Sequence, residues 1–368
     1  MVSRRLISRS LGLVVDVAPY ESLHWSRGWS FTTFCSERCR SRDQTETLEV
    51  LKDMSAEEKV EAAPHFDHFF LNHLQSVRAD GAYYLNQKFL GKGGNGTTFL
   101  VTCTSGPNQG IQFALKVFHK ISDDRRRNRF LDEIRHYRSL NHPALLKVYD
   151  EGTYVSGDRE YPFAVVDYVP QNLEAMIGRG ATQISRLEAI RYAYNVASAV
   201  NYLHTLDQPI VHRDIKPANI LVDGHAAKLG DLGLAKVLMG EDNELSEEFN
   251  AYAAMPFFYR TPELVRIARG EKISLTPASD IYQLGLVLYR AITGFNPQKP
   301  PANGVADDIE MDIRPVVGAA NTRLDTLFRQ VLNADPARRP NAGQLLQRLN
   351  QIHSDVCAAD LAATGMMR

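Results

Sequence analysis

The chain has 368 residues, with 42 Lys and Arg against 43 Asp and Glu, a formal net charge of -1, 44% apolar and 23% charged residues. That balance is ordinary for a soluble globular protein and excludes a globally cationic surface for nucleic acid or an anionic membrane. No apolar run nears membrane-spanning length, since Leu11–Val15 stops at Asp16 and Leu284–Tyr289 at Arg290.

Residues 1–45 show no sustained period and read as a poorly ordered extension. Arg4, Arg5 and Arg9 precede the first acid, Asp16, a faint likeness to an organelle transit segment that carries no weight alone. The four cysteines, Cys35, Cys39, Cys103 and Cys357, are too few and scattered for a disulfide framework, so a reducing compartment, the cytoplasm, is expected. Cys35 and Cys39 lack a second pair for zinc and read as free thiols.

Residues 46–82 read as a helical extension. Leu48, Leu51 and Met54 recur at helical spacing, Ser55 and Glu58 match a capping box, and Pro64 opens a predicted helix with Phe66, Phe69, Phe70, Leu74 and Val77 on one face. That face is expected to bury against the adjacent lobe; docking a partner is the minor alternative. His65, His68 and His73 fit no metal-ligand spacing, so they are taken as solvated or packed.

The stretch "LGKGGNGTTF" places Gly91, Gly93 and Gly96 at G-x-G-x-x-G spacing, with Gly94 between them. A dinucleotide fingerprint needs a helix next and an acid about 20 residues on. Here β-branched and aromatic residues follow, and the later position holds Lys116 inside the strand-like run Phe113–Val117. Glycines joining two strands form a flap whose N–H groups can turn to phosphate. An ordinary glycine hairpin reads the same in isolation.

Strands then give way to a helix near Asp124–Leu140, two more strands at Leu145–Asp150 and Phe163–Tyr168, and helical character beyond Asn172, notably Arg186–Leu203. Arg125, Arg126 and Arg127 oppose the dipole at their helix start and are expected to face solvent or an anionic partner. Strands first and helices later predict an α+β chain with a small β-rich lobe on a larger helical one, and a cleft between them.

The strings "FALK" at 113–116, "DEIRHYRSLNHP" at 132–143, "VHRDIKPANIL" at 211–221, "GDLGLAK" at 230–236, "YRTPEL" at 259–264, "SDIYQLG" at 279–285 and "DPARRP" at 335–340 follow the glycine tract in order. With that order and spacing, residues 83–352 resemble a eukaryotic-type protein kinase. The resemblance implies the bilobal kinase fold, an N-lobe at 83–168, a C-lobe at 169–352 and a tail at 353–368. It also implies ATP and magnesium as cofactors, and Ser/Thr residues of proteins as acceptors.

By resemblance, Lys116 grips the α- and β-phosphates with Glu133 as its anionic partner, because a lone lysine in an apolar strand is costly to desolvate. Asp214 takes the acceptor proton, Lys216 reaches the γ-phosphate, and Asn219 and Asp231 supply hard oxygens to magnesium. Gly91, Gly93, Gly94 and Gly96 form the flap, Thr98, Ala114, Val166 and Leu221 surround adenine, and Asp167 to Val169 offer hinge backbone. Glu263 with Arg339 resembles a buried ion pair, Asp280 a helix acid holding the catalytic loop, and Tyr137, His212 and Leu232 an apolar column between lobes.

Several positions depart from the family pattern. Leu232 replaces phenylalanine, Thr98 replaces valine, and Asn95 replaces an aromatic at the flap tip. Before Tyr259, Pro256 occupies the site of a threonine, closer to tyrosine-kinase usage, whereas Lys216 favours Ser/Thr chemistry. Ala218 and Asn172 stand where arginine-selecting members carry acids, which predicts little preference for basic flanks, with Met255, Phe257 and Phe258 as an apolar shelf. Arg213 and Lys236 are placed to grip a phosphorylated activation loop, at Ser246 or Tyr252, modified in trans or by autophosphorylation. The alternative is a pseudokinase that binds nucleotide or partners without transfer. A small-molecule kinase leaves the Thr261-Pro262-Glu263 platform unexplained.

Overall fold

The computed structural model describes residues 4–7, 14–17, 71–79, 81–92, 96–118, 124–156, 159–178, 184–231, 258–302, 304, 306–318 and 321–363. The chain divides into two units, Met1–His65 and Phe66–Arg368. In the first, β1 (Arg4–Ile7) and β2 (Val14–Val17) pair antiparallel, with Arg4 opposite Val17.

The second unit begins with a six-stranded sheet in the order β3-β4-β5-β6-β8-β7. Its strands are β3 (Ser76–Ala79), β4 (Ala82–Lys92), β5 (Gly96–Cys103), β6 (Gln112–Phe118), β7 (Val148–Ser156) and β8 (Arg159–Asp167). Neighbours pair antiparallel throughout. Alternation along β6 gives the sheet two apolar faces. Phe113, Leu115 and Val117 join Tyr84, Phe99, Val101, Phe163 and Val165 on one. Ala114 and Phe118 join Ala164 and Val166 on the other, where Ile134 of α1 (Asp124–Ser139) is fully buried.

The predicted helix through Leu74 and Val77 gives way here to a strand. Ser76 and Arg78 are exposed while Val77 and Ala79 are buried, a period of two, and Gly81 at φ 89 turns the chain so that Ala79 faces Ala82. A β-branched valine followed by a glycine turn favours a hairpin over a last helical turn. Asn86 completes the join, donating its amide to the carbonyls of Leu71 and Asn72 at 3.0 and 2.9 Å. The remainder of the expected helical stretch, 46–70, lies outside the described residues.

After β8 the chain crosses to a helical lobe. It contains α2 (Leu173–Gly178), α3 (Arg186–His204), α4 (Pro262–Ala268), α5 (Pro277–Thr293), α6 (Asn321–Val331) and α7 (Ala342–Ala363). Ser185 and Glu188 form a reciprocal capping box at the start of α3, which then buries Ile190, Ala193, Ala197, Val200 and Leu203. Helix α5 is buried almost all round, from Ser279 to Tyr289, and so forms the centre of this lobe. A small sheet of β9 (Gln171–Asn172), β10 (Ile220–Asp223) and β11 (Ala226–Leu229), in the order β11-β10-β9, lies beside the link between lobes. The two-lobed α+β architecture expected from the sequence is the one observed.

Candidate active site

Pairing register brings the upper half of the site together. Thr98 is opposite Lys116, Lys116 opposite Ala164, and Ala114 opposite Val166, so Thr98, Ala114, Lys116 and Val166 share one face of the sheet. Val166 is 8% exposed. Gly91 pairs with Thr98 at the mouth of the β4–β5 hairpin. Gly93 and Gly94 lie outside the described residues, as does Asn95.

Gly96 is required for a reason other than phosphate access. A Cβ there would lie 2.2 Å from the Val117 carbonyl oxygen, whereas one at Gly91 meets nothing within 4 Å. The glycine thus lets β5 approach β6.

Lys116 donates its ammonium to Asp231 Oδ1 and lies 5.5 Å from the centre of the Phe118 ring. Asp231 adopts φ 52, a left-handed conformation uncommon for a residue with a side chain. Burial pushes the Asp231 carboxyl upward, but the Lys116 charge and hydrogen bond, with His212 and Lys216 behind them, hold it below the ordinary value. Glu133 falls on α1, one position before the buried Ile134, and its side chain is outside the described set.

The loop after α3 carries the lower half. Asp214 Oδ2 accepts Lys216 Nζ at 2.9 Å and the Asn219 amide at 3.0 Å. That amide also reaches the Asp214 carbonyl at 2.9 Å, which leaves Asn219 Oδ1 as its unspent oxygen. Gly230 N–H donates to the Asn219 carbonyl at 2.8 Å, tying Asn219 to the segment carrying Asp231. His212 is 1% exposed; its Nδ1 accepts from Asp214 N–H at 3.3 Å, so Nε2 carries the proton and donates to the Gly230 carbonyl at 2.9 Å.

Asp280 braces this loop from α5, accepting the N–H groups of His212 and Arg213 at 2.8 Å each. Two further braces lay outside the sequence reading. Gln283 accepts Ile215 N–H at 2.9 Å and donates to the Arg213 and Tyr259 carbonyls at 3.2 and 3.1 Å. His204 donates Nε2 to Asp280 at 2.8 Å. A glutamine inside the apolar run of α5 was the available signal for the first.

Leu221 lies on β10 opposite Lys228 and Asn172. Asp167 ends β8, its N–H spent on the Lys147 carbonyl at 3.1 Å, and Val169 follows in the link to β9. Tyr137 packs against the cores of both lobes. Leu232, Lys236, Ser246, Tyr252, Met255, Pro256 and Phe257 lie outside the described residues.

No cluster of three His, Cys, Asp or Glu side chains able to hold a metal occurs among the described residues. The donor set of Asn219 Oδ1 and the Asp231 carboxylate fits magnesium instead, an ion that takes one or two protein oxygens and fills its shell with phosphate and water. No helix among the described residues is long and apolar enough to cross a membrane.

A protein kinase domain model matches residues 84–349. The chain is 30% identical over 270 residues to a probable serine/threonine-protein kinase of Dictyostelium discoideum, covering 71% of this chain and 15% of that protein. It is 26% identical over 337 residues to the probable serine/threonine-protein kinase PBL3 of Arabidopsis thaliana, covering 84% and 75%. Serine/threonine-protein kinase PknB of Mycolicibacterium smegmatis is 34% identical over 170 residues, 46% of this chain and 26% of PknB. Two crystal structures of the Mycobacterium tuberculosis PknI kinase domain share the fold, with TM-scores of 0.55 and 0.53 at 23% and 24% identity. Each covers 77% of this chain, and the match takes in 99% and 100% of the respective PknI chains.

Proposed function

This chain belongs to the protein kinase family, and from that premise we propose that it transfers the γ-phosphate of ATP to serine or threonine hydroxyls of protein substrates. The carrying observation is a pair of contact sets, Lys116 on Asp231 and Lys216 with Asn219 on Asp214, tied by Gly230 N–H on the Asn219 carbonyl. Phosphoryl transfer asks a protein for placement and charge, and these groups offer both.

Lys116 engages the α- and β-phosphates, with Glu133 as its counter-charge. Asp214 Oδ2 already receives two donors, so Oδ1 remains to orient the acceptor hydroxyl and take its proton. Lys216 offsets charge at the γ-phosphate. Asn219 and Asp231 hold magnesium, which when bound neutralises phosphate charge. Gly91, Gly93, Gly94 and Gly96 shape the flap over the phosphates. Thr98, Ala114, Val166 and Leu221 enclose adenine, and the hinge from Asp167 to Val169 binds its edge.

Lys216, two positions after Asp214, favours Ser/Thr acceptors, and the relatives named as serine/threonine kinases support that choice. Phosphorylation at Ser246 or Tyr252, gripped by Arg213 and Lys236, controls the site. A cytoplasmic setting rests on the cysteines, four in number and too scattered for a disulfide framework.

The test compares transfer of labelled phosphate to a generic protein by the wild type, Asp214→Ala and Lys116→Met. Each variant is expected to lose about 10²–10³ in rate. A silent wild type that still binds nucleotide would favour the pseudokinase reading.

A further inference from the structure

Beside Lys216 the helical lobe opens a groove of about 840 Å³, lined by Tyr259 and Arg290 together with Phe258, Phe295 and Pro300. Lys216 both lines this groove and donates to Asp214 Oδ2 at 2.9 Å. On the protein-kinase reading, an acceptor hydroxyl presented to Asp214 comes beside Lys216, at the edge of this groove, which puts the groove within reach of residues flanking the acceptor.

The charge of the lining is already arranged. Among the described residues, two carboxylates face the groove, Glu174 and Asp312, and three cations, Lys216, Arg290 and Lys299. Both carboxylates are engaged by the chain's own arginines. Arg290 meets both oxygens of Glu174, at 2.8 and 2.6 Å, and Arg314 meets Asp312 at 2.6 and 3.1 Å. Arg290 is the more enclosed partner, its side chain 20% exposed against 42% for Glu174. It also donates to the Tyr259 hydroxyl at 2.9 Å, so its guanidinium is fixed in place rather than mobile.

We propose that Arg290, held by Glu174, is the specificity-determining residue of this groove. It rejects arginine and lysine beside the acceptor and leaves the space to an uncharged, apolar side chain. This inference rests on the protein-kinase reading. An entering cation either competes for Glu174, which strands Arg290, or stays uncompensated beside a fixed like charge. An apolar side chain meets neither cost and buries surface against Phe258, which is 39% exposed, and Pro300. Specificity of this kind comes from a repulsive element as much as an attractive one.

Peptides with one acceptor serine and Leu, Arg or Glu at each flanking position test it, read as relative kcat/KM. The wild type is expected to favour Leu over Arg by about tenfold at the position that enters the groove, equivalent to about 1.4 kcal/mol. Arg290→Gln, which releases Glu174, should abolish or invert that ratio. Glu174→Gln, which leaves Arg290 unneutralised, should widen it and raise the Glu peptide.

Equal Leu-to-Arg ratios in the wild type and Arg290→Gln overturn the inference while transfer itself stands. No transfer to any peptide by a nucleotide-binding wild type overturns the kinase reading instead. Where Arg290→Gln fails to melt as a folded protein, Glu174→Gln decides, because it retains Arg290, and an unchanged ratio there refutes the assignment.

Discussion

Arg339 and Glu263 meet as a buried bidentate pair at 2.7 and 2.9 Å, 76 positions apart in the chain. Every donor of the Arg339 guanidinium is used. Nε donates to the Asn333 carbonyl at 2.8 Å, Nη1 also to Ala278 at 2.9 Å, and Nη2 also to Ala334 at 3.2 Å. The Tyr282 ring lies 4.7 Å away. Arg339→Met strands a carboxylate whose side chain is 4% exposed, and is expected to cost about 3–5 kcal/mol. Chemical denaturation should show a lower midpoint with an unchanged slope. Arg339→Lys should recover only part, since an ammonium cannot replace the planar fork.

The same pair fixes a pH dependence. Burial pushes the Glu263 carboxyl upward, but its bonds from Arg339 and Ser279 outweigh that and hold it below its ordinary value of 4.5. A carboxylate depressed by folding stabilises the native state fully above its unfolded value, and that contribution is lost as pH falls through the folded value. Stability measured from pH 6 downward should therefore fall less steeply below 4.5 in Glu263→Gln than in the wild type. Identical slopes would remove Glu263 from the acid transition.

Asp280 has no exposed surface and accepts His204 Nε2 and two backbone N–H groups, all at 2.8 Å. One of those belongs to Arg213, whose φ of 68 is strained for a residue with a side chain. Asp280→Ala orphans both N–H groups, at about 1–3 kcal/mol each, and frees the loop that aims Asp214. A small displacement there is expected to cost about 10²-fold in kcat, with a much smaller change in nucleotide affinity. Steady-state kinetics beside nucleotide titration separate the two. Equal losses in both would mean global disorder instead.

These contacts divide into those the sequence announces and those it hides. Lys116, Asp214, Lys216, Asn219 and Asp231 stand in spaced strings, and the structure gathers them into two contact sets, Lys116 on Asp231 and Lys216 with Asn219 on Asp214, tied by Gly230 N–H on the Asn219 carbonyl. Val77 was misread because a single apolar residue fits either period, and only its partner strand, with Tyr84 opposite, decides between them. Lys228 and Asp167 carry no local mark, since they meet at a separation of 61 residues. Gly96 was legible as a turn glycine, yet its need for a bare Cα comes from Val117 on a neighbouring strand.

That last point separates two glycines of one tract. A Cβ at residue 96 would sit 2.2 Å from the Val117 oxygen and 3.1 Å from its carbon, both backbone atoms that cannot rotate away. Gly96→Ala is expected to cost about 1–3 kcal/mol as overpacking, and to weaken ATP binding by spreading β5 from β6. Gly91→Ala has open space and should stay within about 0.5 kcal/mol of the wild type. Thermal melts with and without ATP check both. A harmless Gly96→Ala would mean that the two strands lie further apart than described.

The hinge is held from behind by a single carboxylate. Asp167 accepts Lys228 Nζ at 2.6 Å and Lys147 N–H at 3.2 Å on one oxygen, and the Tyr149 hydroxyl at 2.9 Å on the other. Burial first, then the bond to Asp167, push the Tyr149 hydroxyl up to about 12, so it remains a donor across the working range of pH. Lys228→Met leaves a half-buried carboxylate without its cation, and is expected to cost about 1–3 kcal/mol. Tyr149→Phe removes a neutral donor, at about 1 kcal/mol, and the double variant should depart from additivity because both act on Asp167. On the proposed function the hinge binds adenine rather than the transferred phosphate, so Lys228→Met should raise the Kd for ATP by up to about tenfold and leave kcat at saturating ATP nearly unchanged. A fall in kcat with unaltered Kd would place the Lys228 effect in the catalytic loop, not in the hinge.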